Sequence, residues 1–266
     1  MTNSHKKYKF MCYIDNANFK DGKMNWKLIL FVVFIFVFTI ITGAIQGIAN
    51  IDVKYIVLPQ LAPALAYLLT ILIFKKLFKP VIVCFNKNVC VKALFSIIIP
   101  VLLFILTYFI GKILGTEVKI KPDLFPIIFV MLPGIIIGGI GEEIGWRSFL
   151  QPSLENKIPI IISSIIVGCI WGLWHVGHYK NGLVFMLGFL LFTISASVII
   201  VYLLKDTRYN IIISSIFHIS INIGFMIFFY NNLEDTKLFL INGFVWFITA
   251  TILSICGRKY YCNKTK

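Results

Sequence analysis

The stretch Gly141-Glu142-Glu143-Ile144-Gly145-Trp146-Arg147 decides how the rest of the chain is read. Two adjacent carboxylates and an arginine stand at the end of a run, from Leu124 to Ile140, that contains no charged residue. In hydrocarbon each unpaired charge of this kind costs at least ~2.5 kcal/mol on insertion scales. Groups that expensive are seldom placed for packing alone.

Working outward, the 266 residues are 59% hydrophobic and only 14% charged, with a mean hydropathy of +0.91. That composition lies outside the range of an ordinary soluble domain. Apolar runs near the roughly 20-residue length of a membrane-crossing helix fall at 27–49, 55–74, 93–115, 124–150, 158–177, 182–204, 210–230 and 238–257. The expected fold is therefore all-α, a polytopic membrane protein of about eight transmembrane helices. It forms one membrane domain over 27–257 with no internal repeat, flanked by a polar arm at 1–26 and a tail at 258–266.

The net charge of +14 does not point to nucleic acid, because the basic residues alternate with the spans instead of forming one patch. With both termini inside, 19 of the 25 lysines and arginines fall on the inner side and six (Lys54, Lys112, Lys119, Lys121, Lys180 and Lys237) on the outer. This positive-inside asymmetry places both termini and the segment 75–92 in the cytoplasm. The first span lacks a small-residue cleavage site close behind it and reads as a retained helix. Six cysteines (Cys12, Cys84, Cys90, Cys169, Cys256 and Cys262) show no CxxC spacing, and five lie in or beside inner-side segments. Disulfides are not expected there. The excess of lysine over arginine, with abundant Ile, Asn and Phe, points to an AT-rich bacterial genome, hence to a bacterial plasma membrane.

Apart from the first motif, few strongly polar residues lie within spans: His175 in the fifth, and His218 with Asn222 in the seventh. Counted from inner ends near Leu154, Pro159 and Tyr209, Glu142, His175, His218 and Asn222 lie at overlapping depths of roughly 14 to 24 Å, at 1.5 Å per residue. The site is thus expected between the fourth, fifth and seventh helices. Glu143 and Arg147 are i,i+4 neighbours able to pair within their helix, while Glu142 points about 100° away and is left to face a cavity. His218 and Asn222 share the same spacing and can aim an imidazole and an amide at one spot. A carboxylate, two imidazoles and an amide suit hydrolysis, with a base for water and donors for the oxyanion. Gly134, Gly138, Gly141 and Gly145 recur on the fourth helix and read as close helix packing. Trp171 and Trp174 are read equally well as packing or interface aromatics and as functional residues of the site, and His178 as an interfacial residue.

Taken together, Glu142-Glu143-x-x-x-Arg147, then Trp171-x-x-x-His175, then His218-x-x-x-Asn222, in that order, resemble the CPBP group of intramembrane proteases, also called the Abi or type II CAAX prenyl endopeptidase family. The resemblance covers roughly 120–230, and Trp171 stands where many members have Phe. It implies that Glu142 is the general base on the attacking water, assisted by His175. It implies likewise that His218 and Asn222 form the oxyanion site, with Glu143 and Arg147 in support. By the same resemblance the activity is intramembrane cleavage of a hydrophobic or lipid-modified peptide near the membrane surface, in peptide maturation or bacteriocin self-immunity. The partners expected are membrane lipids and that peptide. Glu142, His175 and His218 also make up a two-histidine, one-carboxylate set of the kind catalytic zinc uses. Against a metal, there is no His-Glu-x-x-His helix, and giving His218 to the oxyanion leaves a ligand too few, so no cofactor is favoured. Two rival classes use the same residue types: a proton-coupled transporter, for which matching broken repeats are the missing sign, and a non-catalytic immunity protein.

Overall fold

The computed structural model describes residues 26–118 and 124–256, so the arm before Trp26 and the tail at 258–266 lie outside the described residues. All eight expected spans are helical, and among the described residues there is no strand. Six helices are long and apolar enough to cross a membrane. They are α1 (Trp26–Ile48), α3 (Lys87–Ile113), the continuous run Leu124–Glu155, α7 (Leu183–Leu204), α8 (Ile211–Phe229) and α9 (Thr236–Cys256). The second and fifth spans are shorter: a 3-10 turn, Leu58–Leu61, leads into α2 (Ala62–Ile73), and α6 covers Ile160–Trp174. Helices are what hydrocarbon demands, since every backbone N–H and C=O has to be bonded within the segment. Asparagines open two of them: Asn86 accepts from the Val89 N–H at 2.9 Å, and Asn210 from the Ile212 N–H at 3.0 Å. Both are ordinary N-caps.

The long run Leu124–Glu155 is not uniform. It consists of α4 (Leu124–Gly145), a π turn at Trp146–Leu150 and a short α5 (Gln151–Glu155). The Gln151 N–H donates to the Trp146 carbonyl, a five-residue bond that widens the helix. Pro152 accounts for the widening: it has no N–H to give Ser148, and its ring would press on the carbonyl four residues back. The helix thus continues past Arg147 as expected, with one extra residue in that turn.

The most enclosed helix is α7, with 15 of its 22 residues buried. It packs on α6 and α9, while α4 is gripped by α2 and α8, and α3 runs along α8. Outward faces keep large apolar side chains such as Ile40, Ile48, Phe125 and Ile255 exposed, the pattern of a surface solvated by lipid. The glycine stripe of α4 explains how its carboxylate end is fixed. A Cβ at Gly134 would collide with the Tyr55 carbonyl, at Gly138 with the Gln60 side chain, and at Gly145 with Pro63; at Gly141 it would press on Leu61. Bare backbone lets the segment 55–63 lie directly on α4. Gly145→Val should therefore cost about 1–3 kcal/mol by overpacking, seen as a lowered Tm in detergent. Gly47→Val, where a Cβ meets nothing within 4 Å, should leave the Tm unchanged; equal behaviour of the two variants would refute the close-packing role.

Candidate active site

Both carboxylates of the first motif are fully buried, and they take different partners. Glu143 Oε1 accepts from Arg147 Nη1 at 3.1 Å and from His218 Nδ1 at 2.8 Å. The i,i+4 pairing read from the sequence is present, and His218 reaches the same oxygen from α8. Glu142 is turned away, as the helical offset requires. Its Oε2 accepts from Trp171 Nε1 at 2.8 Å and its Oε1 from Gln60 Nε2 at 3.1 Å, with His218 Nε2 at 3.8 Å. One imidazole therefore stands between two carboxylates, its Nδ1 committed to Glu143 and its Nε2 facing Glu142.

Trp171 does more than pack. Its indole N–H holds Glu142, and the Arg147 guanidinium lies 4.7 Å from its ring centroid in a cation–π contact. His175 is the cap of α6, not part of the helix as the sequence suggested. The helix ends at Trp174, and a 3-10 turn, Val176–Asn181, carries the chain away to Gly182 at φ +87°. Hydropathy runs on through Val176, whereas the backbone has already turned. His175 Nδ1 donates to the Trp171 carbonyl at 2.7 Å, which leaves Nε2 as a free acceptor.

A cavity of about 200 Å³ gathers these groups: Gln60, Trp171, His175, His218 and Asn222 line one part of it. Phe189, Phe192, Phe225 and Phe239 supply an apolar wall. Its neighbour, about 290 Å³, shares His175, His178 and Leu233 and adds Lys180, Asn181 and Glu234. There Lys180 Nζ bridges to Glu234 Oε1 at 2.6 Å between exposed side chains. The Lys180 ammonium, chiefly through that hydrogen bond, holds the Glu234 carboxyl below its usual range. His178 stacks on His175 at 6.0 Å, closer to the site than an interfacial residue needs to be. Gln60 was not singled out in the sequence; the only signal was an amide inside the apolar run 55–74.

In this arrangement the carboxylates and imidazoles are engaged with protein partners. Among the described residues no three His, Cys, Asp or Glu side chains are gathered as ligands. Both Glu142 oxygens already accept N–H donors, and His218 Nδ1 is bound to Glu143. The buried Glu143–Arg147 pair makes a separate demand. Glu143→Gln removes the counter-charge of a fully buried guanidinium and should cost on the order of 3–5 kcal/mol, read as a fall in Tm and in folded yield. An unchanged Tm would mean that Arg147 is neutralised elsewhere.

Set against known proteins, residues 124–224 match the family model described as type II CAAX prenyl endopeptidase Rce1-like. No curated protein matches the chain. The matched segment contains Glu142, Glu143, Arg147, Trp171, His175, His218 and Asn222. Residues 124–224 of this multi-pass membrane chain are thus similar to the Rce1-like type II CAAX prenyl endopeptidase family, the family that its three motifs resemble.

Proposed function

We propose that the chain is an intramembrane endopeptidase that hydrolyses a peptide bond near the membrane surface without a metal. One observation carries this reading: a fully buried carboxylate, Glu142, is held by two neutral N–H donors, Gln60 and Trp171, which line a cavity together with His175, His218 and Asn222. Neutral donors orient a carboxylate without pairing its charge away, which is what a general base requires.

In the mechanism we infer, a water between Glu142 and His175 Nε2 gives its proton to Glu142 as its oxygen bonds to the scissile carbonyl carbon. The oxyanion so formed accepts from the Asn222 amide and from His218 Nε2–H, in the imidazolium form that Glu143 supports at Nδ1. Glu142 then passes the proton to the amide nitrogen as the C–N bond breaks, releasing an acid and an amine. The phenylalanine wall suits an apolar side chain next to that bond, consistent with a hydrophobic or lipid-modified peptide. The setting we propose is a bacterial plasma membrane with both termini cytoplasmic, in peptide maturation or bacteriocin self-immunity. In that orientation the mouth between Lys180 and Glu234 opens on the outer side.

Glu142→Gln keeps shape and hydrogen bonding but removes basicity, and it should abolish cleavage of membrane peptides, followed by mass spectrometry, in a protein of normal Tm. Asn222→Ala should lower kcat on the order of a hundredfold with KM little changed. A chelator should leave turnover intact. Cleavage by Glu142→Gln would refute the base assignment, and chelator loss reversed by zinc would refute the metal-free mechanism. For the topology, a cysteine introduced at Lys87 should label only from inside and one at Lys180 from outside. The reverse pattern would overturn the orientation.

A further inference from the structure

We infer that Gln60 is a positioning residue of this site, locking the Glu142 carboxylate from the side opposite Trp171; the inference rests on the hydrolytic reading above. Gln60 lies outside the residues that the family match covers. Its amide donates to Glu142 Oε1 at 3.1 Å while Trp171 donates to Oε2 at 2.8 Å. With one donor on each oxygen, the carboxylate cannot turn about its last bond without losing one of them. The lone pair that takes the proton of water therefore stays aimed in one direction.

The rest of the fold keeps Gln60 still. Its 3-10 turn is fastened by Gln46 of α1, whose Oε1 accepts from the Leu58 N–H at 2.8 Å and whose Nε2 donates to the carbonyls of Ile56 at 2.9 Å and Ile51 at 3.2 Å. Gly138 forms the seat: a Cβ there would stand 2.7 Å from Gln60 Cδ and closer still to its Oε1. Glycine at 138 is thus what allows the amide to reach Glu142 on the next turn of the same helix. Gln60 also lines the cavity beside Trp171, His175 and His218, so its loss would be felt where the water is activated.

The test uses the full chain in lipid vesicles. Its probe is whichever internally quenched apolar or prenylated-cysteine peptide the wild-type protein cleaves fastest. Gln60→Ala should lower kcat on the order of tenfold to a hundredfold, the scale of a misplaced reacting group, with KM within about twofold. Gln60→Met, nearly the same in size but without the amide, should show the same split at an unchanged Tm and serves if the alanine variant fails to fold. Gly138→Ala should lower kcat by itself and have no further effect when added to Gln60→Ala. A normal kcat in Gln60→Met, a change confined to KM, or additive effects of Gly138→Ala and Gln60→Ala would each overturn the role. If Glu142→Gln stops cleavage while Gln60→Met does not, only the positioning role falls. If Glu142→Gln still cleaves, the hydrolytic reading itself has failed.

Discussion

Burying two neighbouring carboxylates is the constraint on which the rest of this molecule depends. Glu142 and Glu143 are both removed from solvent, and a lone buried ion costs several kcal/mol even after relaxation. Two side by side also repel each other. The chain meets this with partners from four other places: Arg147 one turn on, His218 from α8, Trp171 from α6 and Gln60 from the turn before α2. Each of those contacts requires its helix to lie against α4 at one height, so the charges constrain the bundle as much as the bundle encloses the charges.

Two backbone features make those approaches feasible. The glycine stripe removes side chains from the face of α4 that meets residues 55–63, which brings an amide to Glu142 that a larger residue would hold off. Immediately beyond, the π turn at Trp146–Leu150 adds a residue to the helix, so the part that follows is rotated relative to an unbroken α-helix. Such widened turns are frequent at functional sites. Here the turn contains both Arg147, which pairs with Glu143, and Phe149, which meets Phe31 and Tyr67.

Much of this was legible in the sequence, for identifiable reasons. Helical periodicity alone separates Glu142 from Glu143 by about 100°, and the structure gives them different partners. Apolar run length located a helix at each expected position, because hydrocarbon admits so few backbone solutions, although two of the eight are shorter than a full crossing. What escaped is what periodicity cannot carry. Gln60 is a single amide in an apolar run, and its meaning depends on a contact 82 residues away in the chain. The end of α6 at Trp174 is set by the backbone, since His175 and Val176 are compatible with continuing the helix. The π turn had a signal in Pro152, though a proline says that a bond is missing and not how the helix absorbs the loss.

The charge balance also shows why the two acids are not interchangeable. Arg147 pairs with Glu143 and lies against the face of the Trp171 ring, whose N–H points at the Glu142 carboxylate. A planar guanidinium can form both the pair and the stack, which a lysine ammonium cannot do in the same way. The neutral indole and amide orient Glu142, and the His218 imidazole faces it with Nε2 at 3.8 Å.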